Sequence, residues 1–198
     1  MPGNVGVGFV LQPEDAYLEL LEPVFGELAD YFEIAPETTW WAEADGTLTS
    51  NAFAGRFAAL GRRWAPAGAA SRPFVAHGVA LSLGSAAPED RPRQARWHAR
   101  LAADQRRFGF RWLSDHLAIT CAAGEALTLP LLLPPTPAAA ALVRRRLAEL
   151  QQICPAVAVE NAAHYFTDGD PLGEATLLAG VLELPGAHLL LDLYNLAM

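Results

Sequence analysis

The 198-residue chain contains no lysine; all fourteen basic residues are arginine. Without an ε-amino group it cannot form a Schiff base, anchor pyridoxal phosphate or supply a P-loop lysine. Twenty-two acidic residues leave a formal net charge of −8. The basic surface that phosphate-backbone binding draws on is missing, so no nucleic-acid partner is expected. Cysteine is scarce too. Cys121 and Cys154 form no C-x-x-C pair, so neither a disulfide framework nor a zinc ribbon can be read from them. The first residues, MPGNVGVGFVLQPED, lack a basic stretch followed by an apolar one, and no uninterrupted apolar run reaches the roughly 20 residues of a membrane span. The expectation is a soluble, cytoplasmic protein with no membrane partner. Gly6-x-Gly8 is too little glycine for a dinucleotide fingerprint.

What the chain does have is a composition that is 52% hydrophobic, enough for a sizeable core. Short, nearly continuous apolar runs read as strands buried on both faces: Val5–Val10, Tyr31–Ala35, Phe74–Leu81, Trp112–Ile119, Ala156–Glu160 and His188–Leu193. Helical periodicity fills the gaps at Pro13–Ala29, Asn51–Trp64, Arg91–Phe108, Pro137–Ile153 and Gly173–Leu184. Repeated βα units of this kind predict an α/β fold with a parallel sheet. Two architectures fit: an open doubly wound sheet, or a (β/α)8 barrel of which six units are present.

Both architectures bind ligands beyond the carboxyl ends of their strands, and the polar residues gather there. Strand two is followed by Glu37, and strand three carries His77. Strand four carries Asp115 and His116, strand five Glu160 and Asn161, and strand six Asp192 and Asn195. A charged or imidazole group inside an apolar run costs several kcal/mol unless it is partnered. Parallel strands would converge His77, His116, Glu160 and Asp192 on one cavity. Such a mixed nitrogen and oxygen set suits iron, manganese or zinc.

Other roles stay open at this point. Asp115 either orients His116 or caps the turn that follows. Glu37 is a ligand, a substrate contact or a helix-start residue behind Pro36. Trp40 and Trp41 either wall a pocket or pack into the core. His98 and His164 read as surface or packing residues, and His188, placed ahead of its strand, reads as structural. Ser114 has no G-x-S-x-G elbow around it, which argues against a serine hydrolase.

The segments HGVALSLGS, SDHLAIT, LPLLLPPTPAAAALVRRRLAELQQI, AVAVEN and LLLDLYN, in that order, resemble those of the multinuclear non-heme iron-dependent oxidative enzymes. This family is methanobactin-biosynthesis-oxidase-like and was formerly known only as an uncharacterised bacterial family. The resemblance runs from Gly6 to Asn195. It implies a xylose-isomerase-like TIM barrel holding two or three irons, with manganese or zinc as other candidates. It further implies oxidation of a cysteine or another residue of a ribosomal precursor peptide by O2, with a partner protein presenting the peptide. Carried over by motif, His77, His116, Glu160 and Asp192 become metal ligands. Glu37, Asp115, Asn161 and Asn195 become supporting or substrate-facing residues.

A barrel takes about 250 residues, so residues 1–198 are expected to form a single, incomplete TIM-barrel domain with the first six of eight strands. Two alternatives accompany this reading. One is a divalent-metal sugar isomerase or hydrolase of the same superfamily, and the other is a truncated, non-catalytic barrel.

Overall fold

The computed structural model describes residues 6–122, 125–163 and 171–197. Val5 and His164, which figure in the sequence reading, lie outside them. The chain forms two compact units: Met1–His77 with Ala99–Arg111, and Gly78–His98 with Trp112–Met198.

In the first unit, β1 (Gly8–Val10), α1 (Asp15–Leu28), β2 (Tyr31–Ile34), β3 (Trp40–Ala42), β4 (Leu48–Ser50), α2 (Ala52–Arg63) and β5 (Phe74–Gly78) follow in order. Strands β1, β2 and β5 run parallel, with Phe9 opposite Phe32 and Phe32 opposite Phe74. Consecutive phenylalanines at these registers build a ladder of rings: Phe25–Phe32 at 5.6 Å and Phe32–Phe74 at 5.8 Å between centroids. It continues to Phe108 at 5.1 Å from Phe74. Each buried ring removes apolar surface at about 25 cal/mol per Å2, so this stack contributes to the cohesion of the unit. Asn51 starts α2 by accepting the Phe53 N–H at 2.9 Å, and the helix buries Ala54, Phe57 and Leu60.

α3 (Arg91–Phe108) leads towards the remaining elements: β6 (Leu113–His116), β7 (Ala118–Ala122), β8 (Glu125–Leu132), α4 (Pro137–Gln151), β9 (Val157–Glu160), α5 (Pro171–Leu182), β10 (Ala187–Leu190) and α6 (Leu193–Ala197). In the second unit β6, β9 and β10 are parallel, with β9 in the middle. All four residues of β9 are buried, as its apolar run demands. Pro137 opens α4, and Thr136 caps it by accepting the Ala139 N–H at 3.2 Å. The apolar face of α4 buries Val143, Leu147 and Leu150.

The expected parallel strands and crossover helices are therefore present, with three parallel strands in each unit among the described residues and corrections at their ends. β5 stops at Gly78, because the chain turns into a loop containing Ser82 at φ 65°. The run expected from Trp112 to Ile119 breaks at Leu117, whose N–H bonds to Glu160 O at 3.0 Å. β7 then pairs antiparallel with β8. A second antiparallel hairpin, β3–β4, was not anticipated. β10 ends at Leu190, and the stretch after Asp192 is helix rather than strand. His188 lies inside β10, opposite Ala158, rather than ahead of it. Among the described residues no helix is long and apolar enough to cross a membrane.

Candidate metal centre

The parallel register of β6 and β9 sets His116 opposite Glu160, the last residue of each strand. On the far side of β9, Leu190 is the partner of Glu160. Side chains at paired positions of a parallel ladder leave the sheet on the same face. His116 Nε2 accordingly stands 3.2 Å from Glu160 Oε2. Glu160 is 4% exposed, so its carboxylate is held in a low-dielectric environment where an adjacent cation or donor counts heavily.

A set of amides shapes this pair from behind. Asn195 Nδ2 donates to Glu160 Oε1 at 3.1 Å and to Asn161 O at 3.0 Å. Asn161, itself buried, bonds the Asp192 backbone in both directions: its Nδ2 donates to Asp192 O at 3.0 Å, and its Oδ1 accepts the Asp192 N–H at 2.7 Å. Asp192 Oδ1 accepts the Tyr194 and Asn195 N–H groups at 2.6 and 3.0 Å, which makes Asp192 the cap of α6. The Asn195 N–H bond, against the opposing effect of desolvation, holds the Asp192 carboxyl below its usual value. Glu160, Tyr194 and the His116 charge add to that lowering.

Asp115, 3% exposed, divides its carboxylate. Oδ1 accepts the His116 N–H at 2.8 Å and Oδ2 the Leu81 N–H at 3.3 Å. It fixes the backbone that carries the imidazole and also the segment after β5. The same carboxylate crowds Gly78, where a Cβ would stand 2.6 Å from Asp115 Oδ2. One residue before Gly78 is His77. His77 lies in β5 and belongs to the first unit, whereas His116, Glu160 and Asp192 all belong to the second.

Glu37 sits in the first turn of a short 3-10 segment, Pro36–Thr39, that follows β2. The two tryptophans separate. Trp40 is buried and donates from Nε1 to Asp104 Oδ2 at 2.6 Å, whereas Trp41 is 65% exposed. Asp104 is fully buried and paired with Arg100, which also donates to Ser50 Oγ at 2.7 Å. His98 is half-buried; desolvation pushes its imidazole down, with Glu149 acting against this and Arg146 with it. Sequence reasoning passed over the Asp90–Arg93 pair, whose short spacing at the head of α3 was its only signal. Arg93 donates to Asp90 at 2.5 and 2.9 Å. Burial raises the Asp90 carboxyl, and the Arg93 bonds and charge more than offset this, leaving it below its ordinary value.

Residues 4–198 match the family described as the RiPP precursor modification enzyme MbnB/TglH/ChrH. The chain belongs to this family. A UPF0276 protein of Acinetobacter baylyi is 30% identical over 195 residues, covering 96% of this chain and 59% of the relative. A UPF0276 protein of Shewanella amazonensis is 29% identical over 168 residues, covering 84% and 53%. The chain thus spans between half and three-fifths of the length of these relatives. Among solved structures, D-psicose 3-epimerase from Clostridium cellulolyticum H10 superposes with a TM-score of 0.59 at 10% identity, over 98% of this chain and 64% of that one. That likeness shows the fold alone, an α/β architecture of the TIM-barrel type. The family therefore carries RiPP precursor modification, and the fold carries no choice of reaction by itself.

Proposed function

We propose that the protein is a metal-dependent oxidative enzyme acting on a cysteine or another residue of a ribosomal precursor peptide, with O2 as oxidant. The observation that carries this reading is the His116 Nε2–Glu160 Oε2 approach of 3.2 Å, set by strand register in a family of precursor-peptide modification enzymes. An imidazole nitrogen and a carboxylate oxygen this close together form a borderline-hard donor pair, and they fit iron, with manganese or zinc also compatible. His77, His116, Glu160 and Asp192 would hold the metal, two or three ions in all. When bound, iron supplies Lewis acidity towards a peptide thiolate and redox chemistry with O2.

The chain's own residues have distinct tasks in this reading. Asp115 fixes the His116 backbone so that the imidazole needs little reorganisation on binding. Asn195 occupies Glu160 Oε1, which directs the other oxygen towards His116. Asn161 holds the backbone of Asp192 in place, and Glu37 is assigned to substrate contact. A partner protein that presents the peptide completes the proposal, and the cytoplasm is the assigned compartment.

Metal analysis of protein purified with and without air tests the reading. Iron in at least one preparation, lost on His116→Ala, is the expected result, together with a mass change in a precursor peptide that requires O2. Folded protein without iron in either preparation overturns it.

A further inference from the structure

The segment between β5 and α3 is held by more bonds than a connecting loop needs. Among the described residues Ser82 is the sole non-glycine residue with positive φ (65°), and it is fully buried. An L-residue in that conformation persists only where its surroundings over-determine it. Here they do. Ser82 Oγ accepts the N–H groups of Thr120 and Cys121 at 3.0 and 3.1 Å, at the register irregularity of β7. Gln94 Nε2 donates to Ser82 O at 3.4 Å.

The hub is Arg93. Its NH1 donates to Ala80 O at 2.9 Å and its NH2 to Leu81 O at 2.9 Å, while Nε and NH2 fork onto Asp90. The other side of the Leu81 peptide is taken by Asp115, whose second oxygen accepts the His116 N–H. A continuous path of bonds therefore runs from Asp90 through Arg93, Leu81 and Asp115 to the backbone of His116. The Asp115 charge also bears on Arg93 directly. Only a planar guanidinium can serve two carbonyls and a bidentate carboxylate at once; a lysine ammonium is a point donor.

We propose that Arg93 is a positioning residue for the candidate metal centre, acting through Leu81 and Asp115 to set the placement of His116. The proposal rests on the metal-centre reading and adds to it a residue that touches neither metal nor substrate. Without Arg93 the Ala80 and Leu81 carbonyls lose their anchor, Asp115 is released from Leu81, and His116 gains freedom that metal binding must then remove.

The test compares Arg93→Lys with the wild-type chain, using Co(II) as the probe and reading both its affinity and its visible absorption. Losses from residues that support a metal ligand run to about 10- to 100-fold in affinity. Such a loss, with an altered cobalt spectrum and an unchanged unfolding midpoint, is the expected result. Amide hydrogen exchange supplies a metal-free readout: Leu81 and His116 should exchange faster in the variant while the amides of β9 keep their protection. A variant with wild-type cobalt affinity, spectrum and exchange at both amides overturns the proposal, as does a uniform loss of protection throughout the unit. If Arg93→Lys does not fold, Asp90→Asn, which removes the fork's charge and keeps Arg93, is judged by the same readouts. A wild-type chain that takes up no cobalt sinks the metal-centre reading alone, and exchange at His116 then decides the positioning role.

Discussion

Asn195 donates from its side-chain amide to Glu160 Oε1 at 3.1 Å, so a residue of the short helix α6 engages one carboxylate oxygen while the other faces His116. Replacing it with alanine should leave most of the fold intact, because Asn195 lies outside the core, and should weaken metal binding by about 10- to 100-fold. Cobalt or ferrous titration of Asn195→Ala measures this. Affinity equal to the wild type would show that Glu160 is oriented by other contacts.

Gly78→Ala probes the same centre by steric means. The added Cβ meets Asp115 Oδ2 at 2.6 Å, so Asp115 must turn and its bonds to Leu81 and His116 must lengthen. Overpacking of this kind costs about 1–3 kcal/mol. Urea unfolding of the variant should show that loss, and metal affinity should fall with it.

The buried pair at Asp104 and Arg100 supports the β3–β4 hairpin through Trp40 and Ser50. Asp104→Ala strands the Arg100 charge and should cost about 3–5 kcal/mol. Replacing both partners with apolar residues of similar size should cost clearly less, which chemical denaturation of the single and double variants can compare.

His98 makes the fold sensitive to mild acid. Desolvation holds its imidazole below the ordinary 6.5, Glu149 opposes this, and Arg146 reinforces it. The folded state therefore binds fewer protons than the unfolded one, and its contribution to stability is complete above 6.5 and is lost as pH falls below it. Urea midpoints on either side of that value should fall more steeply for the wild type than for His98→Gln.

The parallel strands and their crossover helices were legible because each is an apolar run or stripe bounded by turn and cap residues, as at Asn51 and Thr136. The hairpins were not. β3–β4 carries the hairpin signal Asp45-Gly46, yet its strands are three residues each, too short to establish an alternating pattern. β8 contains Pro130, which in sequence argues against a strand and in space is tolerated because, among the described residues, β8 pairs with β7 alone. Of the residues placed at the site from sequence, Glu160 and His116 share a ladder position, and their pairing follows from the strand alignment. The capping bonds that Asp192 makes to α6 could not be read, because LLLDLYN looks like one apolar strand. The bonds that stop it, from Asn161 and to the N–H groups of Tyr194 and Asn195, come from side chains and not from hydrophobic pattern.

The reciprocal bond between Asn161 and the backbone of Asp192 has a consequence for how such a centre can change. The amide side chain copies the donor and acceptor of a peptide group, adding one more rung between neighbouring strands after their main chains have parted. The exit path of the sixth parallel strand is thereby assigned to a replaceable group. A substitution at Asn161 removes both bonds to the Asp192 backbone, so this part of the tie between β9 and the segment after β10 rests on one side chain rather than on the ladder of the sheet.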